Sequence, residues 1–180
     1  MSELEAFRAA KDDSFARATD SPLTAEQKRG FAGLVYYPEA PDLVIDAQLD
    51  TNVDRGQVRM QTSTGSEQLY RRAGIVRFEV DGRAAQLTLY EPEEGGDLFL
   101  PFRDATSGKE TYGAGRYLDV HPPRNGRVRV DFNYAYNPYC AYNEAWSCPL
   151  PPAENWLAVP IRAGEKSFPG AEASGQPNVA

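Results

Sequence analysis

Histidine occurs once in the 180 residues, and cysteine, methionine and tryptophan twice each. A single histidine, His121, excludes zinc sites built from several imidazoles, and any Ser–His catalytic pair would depend on it alone. Its place before Pro122-Pro123, at a strand end, predicts an exposed and inert ring. Cys140 and Cys148 have seven residues between them, which is not C-x-x-C redox spacing, and two thiols with one distant histidine make a poor zinc set. They are expected either to close a small disulfide loop or to stay as buried thiols, and a reducing cytoplasm favours the thiols.

Basic residues are in deficit, 19 Lys+Arg against 26 Asp+Glu, for a net charge of −7. Nucleic-acid backbone is met by a basic face, so nucleic acid is not an expected partner. No apolar run approaches the roughly 18–20 residues of a membrane span, so no membrane partner is expected. The opening MSELEAFRAAKDD is charged and lacks the apolar stretch of a secretory signal, which makes the cytoplasm the expected location. No cofactor motif stands out, and oligomeric state is not readable.

What is present is a change of period. Ser2 with Glu5 and Thr24 with Gln27 have capping-box spacing and open two predicted helices, the second ended by Gly30. Leu4, Phe7 and Phe15 form a thin apolar stripe on the first helix, interrupted by Lys11. From Asp42 the period falls to 2. Leu43, Ile45, Ala47 and Leu49 alternate with polar positions, as do Val58, Met60 and Thr62, and Val76, Phe78 and Val80. Asp81-Gly82 then predicts a type I′ hairpin into Ala85, Leu87 and Leu89. Further strands are predicted over 116–121 and 127–133, around a Pro122–Gly126 turn, and over 157–161, where Pro160 permits only an edge or bulge. The expected fold is mainly β, an antiparallel barrel or sandwich of about eight to nine strands. The expected divisions are a helical lead over 1–30, a β-domain over 31–168 and a flexible tail over 169–180.

Two stretches break the pattern. One is PFRDATSGKETYGAGRYLD, 101–119. The other is YAYNPYCAYNEAWSCPLPPAENW, 134–156, which holds both tryptophans and is too aromatic to be disordered. These stretches, with DFNYAYNPYCAYN, SCPLPPAEN and PIRAGEK, resemble the signature of an uncharacterised prokaryotic family, domain of unknown function 1684. Weaker similarity reaches back to about Gly33. Glu144 and Trp156 stand where the family pattern has Pro and Arg, the second a change that alters one wall of any pocket. The resemblance implies a shared fold and carries no activity with it.

Arg103, Asp104, Lys109, Glu110 and Arg116 form a charged cluster in the first stretch. Guanidinium geometry suits carboxylate and phosphate, so Arg103, Lys109 and Arg116 are candidate contacts for a small anionic ligand, with Tyr112, Asn137, Tyr139 and Tyr142 shaping the site. Asp104 or Glu110 would act as acid or base if burial raises its pKa. Thr106-Ser107-Gly108-Lys109 misses the phosphate-loop pattern, because Glu110 follows the lysine and Arg103 stands at the first glycine position. No metal is assigned, although Asp104, Glu110, Asp119 and Asp131 would suit a hard cation if they converged. Three readings stay open: a pocket formed by 101–119 and 134–156, a non-catalytic module that presents the Tyr/Trp/Pro loop to a protein, peptide or glycan, and purely structural segments. Whether the protein is an enzyme stays open with them.

Overall fold

The computed structural model describes residues 1–169. The tail expected over 169–180 therefore lies, apart from Pro169, outside the described residues. Helix α1 spans Glu3–Arg17 and α2 spans Ala25–Arg29, both opened by complete capping boxes, from Ser2 with Glu5 and from Thr24 with Gln27. Gly30 ends α2.

Seven strands follow: β1 Val44–Gln48, β2 Gln57–Gln61, β3 Glu67–Val80, β4 Arg83–Pro92, β5 Leu98–Phe102, β6 Arg116–Val120 and β7 Arg127–Asp131. Strands β2 to β6 form a five-stranded antiparallel sheet in sequence order, and β1 pairs with β7 in a second sheet. The β3–β4 hairpin turns at Asp81 (φ 52°) and Gly82 (φ 75°), as the Asp-Gly pair predicts. Asn125 and Gly126 adopt the same conformations, yet this tight turn joins only the Arg124 and Arg127 bridge, because β6 belongs to one sheet and β7 to the other.

Strand β3 shifts register between Arg72 and Gly74, and past that bulge Ile75 exchanges two 2.9 Å backbone bonds with Asp50. A Cβ on Gly74 would stand 2.6 Å from the Asp50 carbonyl oxygen, so glycine is what lets the two sheets join there. Val76, Leu87, Leu89, Leu100, Leu118, Val128, Val130 and Phe132 are buried in one core shared by both sheets. The arrangement is sandwich-like, and among the described residues the strands do not close into a barrel.

The expected strand over 157–161 does not form, and the described residues hold seven strands instead of eight or nine. Pro160 has no N–H to give a ladder. The stretch instead makes single bonds to the loop after β5, from the Leu157 N–H to the Arg103 carbonyl (2.7 Å) and from the Ala105 N–H to the Val159 carbonyl (3.0 Å). Neighbouring Asn155, fully buried, accepts from the Thr88 N–H and donates to the Thr88 and Pro101 carbonyls, each at 2.8 Å. Asn155→Ala is expected to cost about 2–3 kcal/mol in urea unfolding, because buried backbone groups lose their partners.

Candidate functional site

In β6, Arg116 lies in phase with Leu118 and Val120, and its side chain enters the core completely. Its Nη1 donates to the carbonyls of Ala163 (2.5 Å) and Glu165 (3.0 Å), and its Nη2 to that of Ile161 (2.7 Å). The guanidinium lies over the Phe102 ring, and Nη2 stands 3.6 Å from Asp104 Oδ1. Burial lowers the pKa of this arginine, and the Asp104 charge opposes the shift. The Asp104 carboxylate is itself enclosed. It accepts from the Ile161 N–H (2.6 Å), Thr106 Oγ1 (2.8 Å) and Ser107 Oγ (3.3 Å). The N–H groups of Lys109, Glu110 and Thr111 all bond the Thr106 carbonyl, and Gly108 turns at φ 80°, so 104–111 is a compact knot without a phosphate cradle.

A second buried charge lies beside it. Glu165, 1% exposed, accepts from Lys11 Nζ on α1, from the Tyr142 hydroxyl and from the Asn137 N–H at 3.0 Å. Burial raises the Tyr142 pKa strongly, and the Glu165 charge adds to the rise. Asn137 Nδ2 donates to the Lys166 carbonyl at 3.0 Å. Thus Lys11, which interrupts the apolar stripe of α1, helps tie the helix to the β-domain, together with Arg8, which donates to the Tyr37 carbonyl at 3.1 Å.

The two irregular segments are neighbours. Tyr117 and Tyr136 exchange backbone bonds of 2.8 and 2.9 Å, and the Tyr112 hydroxyl donates to Cys140 Sγ at 3.7 Å. Rings and thiols fill the contact: Tyr112, Tyr117, Tyr136, Cys140 and Cys148 pack with Phe99 in one cluster. The other candidates point elsewhere. Arg103 stacks on exposed Trp156, 4.7 Å from the ring centre. Lys109 is exposed. Glu110 accepts from the Tyr37 hydroxyl (3.3 Å) and lies 3.5 Å from Arg162 Nε. Tyr139 is exposed and meets Trp146 edge to face at 5.1 Å. His121 is exposed, with Nδ1 3.0 Å from Asp97. Among the described residues no three His, Cys, Asp or Glu side chains gather as a metal would require, so Asp104, Glu110, Asp119 and Asp131 do not form such a group.

The aromatic loop does border a hollow, on its far side. A half-open cavity of about 450 Å³ lies between α2, residues 30–33, Tyr142 and Asn143 of the loop, and Phe168. Its floor is a group of rings in which Tyr142 meets Phe15 edge to face at 5.0 Å and Phe168 at 5.2 Å. Gln27 fixes one wall: its Nε2 donates to the Tyr142 carbonyl at 2.8 Å and its Oε1 accepts from the Thr24 N–H. Sequence reading missed this cavity because its walls come from three distant stretches.

The family described as "Protein of unknown function (DUF1684)" matches residues 29–166. The chain belongs to that family. The fold is similar to the solution structure of the uncharacterized protein from gene locus rrnAC0354 of Haloarcula marismortui, at 35% identity and a TM-score of 0.72, over 91% of this chain and 92% of that one. No curated protein matches the chain. Arg116, Asp104, Tyr142 and Glu165 all fall within the matched span, as does most of the cavity wall. Among the described residues no helix is long and apolar enough to cross a membrane.

Proposed function

We propose that this domain binds a small, largely apolar and uncharged molecule in the cavity between α2 and the 134–156 loop. The carrying observation is the cavity itself: about 450 Å³, walled by Phe31, Tyr142 and Phe168 with few polar groups. Small-molecule sites commonly have volumes of ~300–1,000 Å³ and apolar walls with a few placed polar groups. Asn143 supplies a side-chain amide, and Gly30 and Gly33 let a ligand approach the backbone. Among the described residues Glu26 is the only charged one on the wall, so they offer an anion no cationic partner there. An anionic ligand would call on Arg103, Lys109 and Arg116, and both Nη groups of the buried Arg116 are committed to backbone carbonyls. The reading therefore keeps a small-molecule site that includes Tyr142 and moves it to the outer side of the loop, with binding rather than catalysis as its role.

The test uses a neutral fluorescent probe, 1-aminoanthracene. A Cβ on Gly30 would meet nothing within 4 Å, and its φ of −98° suits any residue, so Gly30→Trp adds a large ring at the cavity wall without backbone strain. The wild-type chain is expected to bind the probe saturably, and Gly30→Trp to lose at least tenfold in affinity while melting near the wild-type temperature. Equal binding by the variant, or none by the wild type, contradicts the proposal.

A second reading rests on one observation, the exposed Tyr139–Trp146 pair, which would serve as a contact for a protein, peptide or glycan.

A further inference from the structure

Cys140 and Cys148 meet inside the ring cluster, and both stand as thiols. The Cys140 N–H donates to Cys148 Sγ at 3.3 Å, and each thiol lies within hydrogen-bonding reach of the other. With N–Cα about 1.46 Å, the Cys148 sulfur lies within about 5 Å of the Cys140 Cα. Rotation about the Cys140 Cα–Cβ bond can therefore bring its sulfur toward that of Cys148. Past Ala141, which ends a short 3-10 helix, the residues between them are loop, and 144–147 are exposed.

The two sulfurs are not equivalent. Cys148 Sγ receives the Cys140 thiol and the backbone N–H groups of Tyr139 and Cys140. The Cys140 thiol first, and the backbone donors after it, bond a thiolate more strongly than a thiol, so the Cys148 pKa falls below the ordinary cysteine value. Donating its proton to Cys148 raises the pKa of Cys140. Cys148 also borders the surface: its own N–H bonds Ser63 Oγ at 3.1 Å, and Ser63 and Ser147 are exposed.

We propose that Cys148 and Cys140 form a peroxide-reactive dithiol, with Cys148 as the oxidised nucleophile and Cys140 as the resolving thiol. The Cys148 thiolate attacks the terminal oxygen of a small hydroperoxide. An S–O bond forms, the O–O bond breaks, and the leaving alkoxide or hydroxide takes up a proton to become alcohol or water. The sulfur is oxidised by two electrons to a sulfenic acid and the peroxide is reduced by two. Cys140 then gives up its proton and attacks the Cys148 sulfur. The S–S bond forms, the S–O bond breaks, and hydroxide leaves with that proton as water. A low-molecular-weight dithiol returns the pair to two thiols by exchange, itself becoming a disulfide. The reaction is independent of ligand binding in the α2 cavity.

Intact-mass measurement of the reduced full chain after exposure to hydrogen peroxide tests this. The expected result is a loss of about 2 Da, with titratable thiols falling from two to none and both restored by dithiothreitol. In Cys140→Ser the sulfenic acid persists and dimedone captures it on Cys148. In Cys148→Ser peroxide consumption falls about tenfold or more, because the remaining thiol is not held as thiolate. Persistence of both wild-type thiols, oxygen addition without loss of hydrogen, or dimedone capture in Cys148→Ser but not in Cys140→Ser overturns the proposal.

Discussion

Arg116→Ala is expected to lower folding stability by about 3–5 kcal/mol, read as a fall in the urea midpoint at unchanged slope. The arginine has no solvent-exposed surface and holds three carbonyls of the 161–165 stretch, so its removal leaves those oxygens without donors and the enclosed Asp104 without its counter-charge. Against a usual domain stability of ~5–15 kcal/mol, such a loss leaves a substantial part of the chain unfolded near physiological temperature. Arg116→Lys is expected to recover little, since an ammonium is a point donor and cannot reproduce a planar fork across carbonyls at 161, 163 and 165. Arg103→Ala supplies the contrast. Its guanidinium stacks on exposed Trp156, a contact worth about 0.5–1 kcal/mol, and the variant should melt close to the wild type. Near-equal losses for the two alanine variants would contradict the assignment of Arg116 to the core.

Glu165→Ala carries the second large effect, about 3–5 kcal/mol in the same measurement. Without the carboxylate, Lys11 Nζ, the Tyr142 hydroxyl and the Asn137 N–H all lose their acceptor in a buried place. Lys11→Met removes the opposite charge and leaves the Glu165 carboxyl group with only neutral partners. That variant should lose less, about 2–4 kcal/mol, because a hydroxyl and an N–H still face the carboxylate. Its loss should also show a spatial signature. Lys11 sits on α1 while Glu165 sits near the end of the described chain, so amide hydrogen exchange in α1 should accelerate before that of β3 and β4. The double variant Lys11→Met with Glu165→Gln should be more stable than the sum of the single losses, since neither charge is then left alone.

Local signals in the sequence located much of the fold. Asp81-Gly82 carries its hairpin because both residues must adopt positive φ, and that demand is satisfied by adjacent residues alone. The capping boxes at Ser2 and Thr24 are equally local. Pairing between distant stretches was not legible. Asn125-Gly126 has the same turn chemistry as Asp81-Gly82, yet β7 pairs with β1, about eighty residues earlier, from Val44 with Asp131 to Gln48 with Arg127. Strand β5 was hidden because Leu98, Phe99 and Leu100 form a short apolar run without alternation, and Pro101 inside it argues against a ladder.

The charged groups had two readings of very different consequence. Among the residues of 101–119, Arg116 invites a ligand-binding role, but its phase with Leu118 and Val120 already aims it at the core. Lys11 similarly breaks an apolar stripe, and the break marks a buried ion pair whose partner lies 154 positions away. A charged residue in phase with buried neighbours is thus a signal for an enclosed pair, provided the period is read through it. The cavity gave no such signal. Thr24, Phe31, Tyr142 and Phe168 have no common motif, and only the folded chain brings them to one hollow.

Backbone amide shifts recorded while 1-aminoanthracene is added to the isotope-labelled chain test the central claim most directly. The cavity reading predicts saturable shifts at Gln27, Gly30, Ala32, Gly33 and Asn143, absent from the same titration of Gly30→Trp. Shifts confined to Tyr139 and Trp146, or to 103–116, would place binding on another surface and contradict it.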